Sequence, residues 1–332
     1  MPRCYRRWFP RTPRNPPGYC MDRIGDHTVP SHAQEPPSKI LTIVVPTTPG
    51  TGSDIAARLM APKLSQALGQ AVVVENRTGA SGTIGIGAVA KAAPDGNTIL
   101  FVPNTMAMIS SLYTNLTWDP VHDFAPVVRI GKMLVAAVVN PALPVETIGD
   151  FVALAKKKPG QLNYGTPGTG TPHHLRTEQL RQITDMDVVH IPYKGSAGAV
   201  TDLIGGQVQF ALFPLHSVLS MTASGKLKML ATTGDTRSQW TPNVPTFRES
   251  GIAGLNNYDW LGVFVPRATP QKTVDRLSRK LLALLDDPDI RKELLARGII
   301  PTPGGPSELA TLLSSELDEW RHVIKTAHIS AE

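Results

Sequence analysis

The chain has 332 residues, 41% of them hydrophobic, which at roughly 150 residues per domain gives two domains with cores of their own and excludes fibrous and wholly disordered architectures. Net charge is +6 from 33 basic and 27 acidic residues, but Arg3, Arg6, Arg7, Arg11, Arg14 and Arg23 against Asp22, Asp26 and Glu35 put half of that excess in the first 38 positions, so no nucleic-acid partner is expected. Both cysteines, Cys4 and Cys20, lie in the same stretch, and from position 21 onward there is no internal disulfide, cysteine-based zinc site or cysteine nucleophile.

Residues 1–38 hold 8 of the 30 prolines and almost no aliphatic periodicity, a composition that reads as disordered. Tyr5-Arg6-Arg7-Trp8-Phe9 resembles a twin-arginine export signal and Ser31-His32-Ala33 a small-x-small cleavage site, yet no apolar stretch of about 7 to 15 residues lies between them. Two readings stand: a start mis-assigned relative to the true leader, or a working export signal.

From Lys39 onward short apolar runs alternate with helical periodicity. Residues 40–45, 71–75, 98–102 and 133–139 read as strands, and 133–139, the longest apolar run, is far shorter than the ~18 residues that cross a bilayer. Residues 53–68 read as a helix, capped near Ser53 or Asp54 and kinked or restarted at Pro62. A second set follows: a helix over 147–157 with Thr147 and Asp150 at capping-box spacing, then strands over 162–165, 188–192, 208–213 and 227–233. Helices over 273–286, 288–297 and 307–325 close the chain, and a strand near 261–266 crosses back to the first unit. The expectation is a bilobal α/β fold: lobe one from 39–138 plus 262–332, lobe two from 139–261, with a cleft between lobes joined by two crossover strands.

Glycines and small hydroxyl residues gather where strands give way to helices, at 49–53, 78–83 and 165–171. Such loops either make turns or bring backbone N–H groups to an anion at the positive end of a helix. No nucleotide cofactor is expected, since GxGxxG and GxxxxGK[ST] are both absent, and Gly195-Ser196-Ala197-Gly198 is one residue short of a nucleophile elbow. His173 and His174, being adjacent, face different sides of a helix and make a poor metal pair, so no metal is expected. His174 is left to donate either to a ligand or to a local carbonyl, and Lys194 either to meet an anion or to sit in solvent. No Ser/His/Asp set or carboxylate pair stands out, so the chemistry reads as binding rather than catalysis.

Pro46-Thr47-Thr48-Pro49-Gly50-Thr51-Gly52-Ser53-Asp54 with Arg58, Val74-Glu75-Asn76-Arg77-Thr78-Gly79-Ala80-Ser81-Gly82, Ala93-Pro94-Asp95-Gly96, Leu162-Asn163-Tyr164-Gly165 and Pro192-Tyr193-Lys194-Gly195 resemble the Bug-type solute-binding receptors of tripartite tricarboxylate transporters. The resemblance runs from about Lys39 to the C-terminus. It implies a monomeric periplasmic protein of the type II periplasmic-binding-protein (Venus-flytrap) fold, without catalysis or cofactor, which closes on a small carboxylate and hands it to membrane permease subunits. It also implies ligand contacts from Thr47, Thr48, Thr51, Gly52 and Ser53 in the first loop, Ser81 and Gly82 in the second, Thr105 in a third, and Thr166, Thr169 and His174 from the second lobe.

Departures bear on the ligand. Thr47 stands where the family usually has an aromatic residue, and Thr51 where it has glycine, so the cleft should be more polar there. Gln209, Phe213 and Pro214 occupy a stretch that often holds an acid suited to a ligand amino group. An ammonium without a counter-charge is costly in a closed cleft, so amino acids are disfavoured. The expected ligand is a plain mono- or dicarboxylate, with Phe213 offering its ring to an aromatic one. The rival readings are an α/β enzyme acting on an acidic metabolite and a sensory module that presents its ligand to another receptor.

Overall fold

The computed structural model describes residues 40–113, 115–255 and 258–329; the expectations on residues 1–38, including both cysteines and the arginine pair, lie outside them. In chain order the elements are β1 (Leu41–Val45), α1 (Gly52–Leu68), β2 (Val72–Asn76), α2 (Thr83–Ala90), β3 (Thr98–Pro103), α3 (Thr105–Leu112), β4 (Phe124–Met133), β5 (Val135–Val139), α4 (Ile148–Lys157), β6 (Leu162–Thr166), α5 (Pro172–Thr184), β7 (Val188–Pro192), α6 (Ser196–Ile204), β8 (Phe210–Pro214), α7 (Leu215–Ala223), β9 (Lys228–Thr232), β10 (Asp259–Pro266), α8 (Gln271–Asp286), α9 (Pro288–Ala296), β11 (Ile300–Gly304) and α10 (Pro306–Thr326).

These strands form a six-stranded sheet, ordered β11-β4-β10-β3-β1-β2, and a five-stranded sheet, ordered β7-β6-β8-β5-β9. Both are mixed. In the first, β1 runs parallel to β2 and β3 while β10 runs antiparallel to β3 and β4. In the second, β6 runs parallel to β7 and β8 while β5 runs antiparallel to β8 and β9. The alternation of side chains along a strand divides each sheet's two cores. Leu41, Ile43 and Val45 of β1 pack with α1 and α8, whereas Val44 packs with Met106, Trp260 and Trp320 on the opposite face. In the second sheet Ala137 and Val139 join Phe151 and Phe210 on one face, and Ala136 and Val138 join Leu203 and Phe213 on the other.

Residues 133–139 are not one strand. β4 ends at Met133 in the first sheet and β5 starts at Val135 in the second, with Leu134 alone between them. Because every residue of β5 is buried, the apolar run continues unbroken across the change of sheet, and hydropathy carries no mark of it. The chain leaves the second sheet after Thr232 and re-enters the first at Asp259. The bilobal α/β architecture is therefore present, with the sheet change falling before residue 138. The Thr147–Asp150 capping box forms as its spacing predicts. Pro62 lies inside α1, which continues through it as one helix rather than restarting, and the N-cap is Thr51 rather than Ser53 or Asp54.

One close approach fixes the first loop against α2. A Cβ built on Gly85 would lie 2.4 Å from the Arg77 carbonyl oxygen and 3.1 Å from Pro46 Cα, both backbone. Gly85→Ala is accordingly predicted to cost about 1–3 kcal/mol in urea unfolding, because backbone must shift to admit the methyl. Gly149→Ala is the control: it meets only Thr147 Oγ1, at 3.6 Å, inside α4, and should leave stability unchanged or raise it by up to about 1 kcal/mol.

Candidate functional site

The loop from β1 to α1 is held by its own side chains. Thr47 Oγ1 lies 2.6 Å from Thr51 Oγ1 and 2.8 Å from Ser53 Oγ. Beneath it the Asp54 carboxylate, 3% exposed, accepts from Gly50 N–H, Arg58 Nε and Asn76 Nδ2, each at 2.9 Å. Asn76 also donates to the Thr47 carbonyl at 3.0 Å. Burial alone would raise the Asp54 pKa, but these donors, the Gly50 amide foremost, hold it below the ordinary 3.8. Asp54 is thus a fixed anion that fastens the loop from behind.

The loop from β2 to α2 turns through Gly79, Ala80, Ser81 and Gly82, all at positive φ. For Ala80 (φ 45°) and Ser81 (φ 56°) this region is sparsely populated, and non-glycine residues held there concentrate at ligand sites. The loop from β6 to α5 is braced by a buried polar chain. Gly170 N–H donates to His174 Nδ1 at 3.0 Å, the His174 and His190 rings stack with centroids 3.8 Å apart, and His190 Nε2 is 2.6 Å from Thr166 Oγ1. Behind them the Tyr164 hydroxyl donates to Glu178, which also accepts twice from Arg181 at 2.9 and 2.7 Å. Burial pushes His190 down to about 4 and lowers His174, so both rings are neutral near pH 7.

These loops border two adjoining cavities. One, of about 330 Å³, lies among Thr47, Thr48, Thr51, Ser81, Gly82, Thr105, Gly170 and Thr171. The other, of about 750 Å³, shares Thr47, Thr51, Thr105 and Pro172 with it and extends past Gly52, Ser53, Phe213 and His216 to Asp259. First-turn residues of α1, α3, α5, α6 and α7 line the larger cavity, and Gly82, the N-cap of α2, lines the smaller. At α1, α2, α3, α6 and α7 no side chain hydrogen-bonds across the N-cap. Each helix start carries partial positive charge, and an anion beside it is stabilised by about 0.3–1 kcal/mol, more where water is excluded. Among the described residues that line the cavities there is no Lys or Arg, and their one ionisable acid, Asp259, is paired with Arg176 at 2.7 Å.

Of the residues singled out in the sequence, Thr47, Thr48, Thr51, Ser81, Gly82 and Thr105 border the smaller cavity and Gly52, Ser53 and Phe213 the larger. Three stand apart: Thr166 is fully buried against His190, Thr169 is exposed, and His174 is buried as an acceptor for Gly170, donating to neither ligand nor carbonyl at that nitrogen. Lys194 is exposed and lines neither cavity. Sequence reasoning missed Asn104, His216 and Asp259, and passed over His173, which borders the larger cavity with its ring 5.5 Å from that of Phe213, while His174 backs the loop. The opposite faces of adjacent helical residues were the available signal for His173; nothing marked Asp259, which follows a long connection. Among the described residues no group of three His, Cys, Asp or Glu is placed to hold a metal, and no helix is long and apolar enough to cross a membrane.

Residues 56–329 match the model of the tripartite tricarboxylate transporter family receptor, and the chain belongs to that family of solute-binding proteins. It is 33% identical over 298 residues to the protein BugT of Bordetella pertussis, covering 89% of this chain and 91% of the relative. Among solved structures it is similar to the periplasmic binding protein BugD, with TM-score 0.75 and 31% identity over 89% of this chain and 99% of that one. An R. palustris protein solved with adipate matches with TM-score 0.78 and 32% identity over 89% and 99%. MatC from Rhodopseudomonas palustris, solved with bound malate, matches with TM-score 0.74 and 29% identity over 87% and 99%. The fold is that of the bilobal periplasmic binding proteins.

Two predictions follow from the braces behind the loops. Asp54→Asn should destabilise by about 1–3 kcal/mol at pH 7, by leaving donors unpaired. Since the folded pKa of Asp54 is depressed, its contribution is present above about pH 4 and lost as pH falls through the folded value, so the gap between wild type and variant in urea unfolding should shrink at pH 3. His190 shifts stability in the same direction at a higher pH: folding favours its neutral form, so stability should fall as pH drops from 6.5 towards 4, and His190→Gln should show a shallower fall in melting temperature across that interval.

Proposed function

We propose that the chain is a periplasmic receptor that closes its two lobes on a small carboxylate and delivers it to the permease subunits of a tripartite transporter. The observation that carries this reading is the convergence of helix N-termini from both sheets on one cleft whose described lining residues include no lysine or arginine. Fixed amides and hydroxyls then hold the anion. The solved relatives with adipate and malate support the same ligand class. Thr47, Thr48, Thr51, Ser81, Gly82 and Thr105 are the proposed carboxylate contacts from the first lobe, Gly52 and Ser53 supply backbone at the start of α1, and Phe213 offers an apolar wall. Thr166, Thr169 and His174 act on the ligand through the loop they shape.

Amino-acid ligands are disfavoured, now for a different reason than the sequence suggested. An acid does border the cleft, but Asp259 is engaged by Arg176, so an ammonium finds no free counter-charge. The lobes divide where the chain changes sheet, at Leu134 and between Thr232 and Asp259. A ligand that touches both lobes favours the closed state by its extra affinity for it, which gives the permease a shape to recognise. Among the described residues no nucleophile paired with a base borders the cavities, which favours transport over catalysis.

A thermal-shift screen of the purified protein against carboxylates tests this. A ligand at 100 times its dissociation constant should stabilise by about 2.7 kcal/mol, and should be recovered chemically unchanged. Thr47→Val should weaken that ligand by about tenfold or more while leaving the unliganded melting temperature within a few degrees. Turnover of the ligand, or no shift with any carboxylate, would contradict the reading.

A further inference from the structure

The inner end of the larger cavity has a chemistry of its own. Asn104 is 1% exposed and borders the cavity, yet neither its Nδ2 nor its Oδ1 has a hydrogen-bond partner. It occupies the N-cap of α3, where an asparagine side chain usually caps the helix, but here the cap is left to the backbone: Ala107 N–H donates to the Asn104 carbonyl at 3.0 Å. A buried amide left unpaired on both sides is costly, by about 1–3 kcal/mol for each lost partner. Two imidazoles border the same cavity. His173 Nδ1 and His216 Nδ1 are likewise buried without partners; burial pushes His173 down to about 4 and lowers His216 against the opposing pull of Asp259. Both rings are therefore uncharged near neutral pH, each offering one donor and one acceptor. Met133, Phe213 and Leu261 add apolar lining to the same cavity.

We infer that this end of the cavity, with Asn104 at its centre, is a subsite for an uncharged group that both donates and accepts hydrogen bonds, so that the preferred ligand is a monocarboxylate carrying a hydroxyl at its far end rather than a dicarboxylate. The inference rests on the carboxylate-receptor reading and narrows it. A carboxylate accepts only: it could satisfy Asn104 Nδ2 but would set a negative oxygen against Oδ1 and near Asp259, with no lining Lys or Arg to offset its desolvation. A methyl end would leave both amide atoms unpaired. A hydroxyl accepts from Nδ2 and donates to Oδ1 or to a neutral imidazole nitrogen. Sites built to hydrogen-bond a hydroxyl discriminate strongly against analogues that lack it, because the site's own buried groups are then stranded.

Hexanoate, 6-hydroxyhexanoate and adipate share one skeleton and differ only at the far end, and calorimetry on the purified protein at pH 7 compares them directly. 6-Hydroxyhexanoate is expected to bind about tenfold or more tightly than either of the others. Asn104→Leu should bring the affinities of 6-hydroxyhexanoate and hexanoate to within about threefold of one another, by weakening the first and by removing the stranded amide that penalises the second; an unchanged circular dichroism spectrum shows that the variant is folded, and the comparison of the three acids on the wild-type protein stands without it. Adipate binding best, or the three acids binding alike, would overturn this inference and leave the carboxylate reading standing. Failure of all three to bind, together with a silent carboxylate screen, would overturn both.

Discussion

A strand that runs into a helix packed on its own sheet delivers that helix's N-terminus to the carboxyl edge of the sheet. In this chain β1, β2 and β3 do so in the first sheet, and β6, β7 and β8 in the second, each strand followed directly by its helix. The parallel pairings β1 with β2 and β3, and β6 with β7 and β8, align each triplet so that its helix starts lie on one edge. The cleft is where the two edges meet, and the affinity for an anion proposed for it rests on that topology before any side chain is chosen. The sequence then adds hydroxyls at the helix starts and keeps basic residues away from the lining.

Holding those edges rigid is the task of residues that never reach the cleft. Asp54 fastens the first loop through three donors, and Gly85 lets α2 lie directly on backbone of the first loop. On the other side, the stacked neutral pair His174 and His190 fixes the turn that carries Gly170 and Thr171. Neutral rings are the right choice in that place. A charged imidazole stack would repel itself and would carry the cost of desolvating its charge.

Much of this was readable beforehand. The glycine and hydroxyl loops at 49–53, 78–83 and 165–171 all fall where strands give way to helices, because the residues that permit positive φ and free the first amides are chemically distinctive. Helices α1, α4, α8 and α10, and the shorter α9, carry amphipathic or capping signals. The short ones, α2, α3, α6 and α7, were not marked: they run eight or nine residues, and α3 is buried through Met106, Ala107, Met108 and Ile109, so no polar face sets a period. The change of sheet at Leu134 was hidden by burial on both faces of β5. Asn104, His216 and Asp259 could not be found from spacing, since they come from separate elements that only the tertiary fold brings to one cavity. Thr166, Thr169 and His174 lie in a loop that the sequence marks, but none of them lines either cavity.

That helix dipoles and hydroxyls, with no basic side chain, select the charge of the ligand is tested most directly by calorimetry on the purified protein at pH 7 with a bound monocarboxylate and its isosteric primary amide. The two differ by one charge and almost nothing in shape. Loss of about tenfold or more in affinity for the amide is the predicted result, corresponding to at least about 1.4 kcal/mol from the converging N-termini. Equal affinity for acid and amide would contradict it, and would mean that shape and apolar contact, rather than the field at the helix starts, bring the ligand to the cleft.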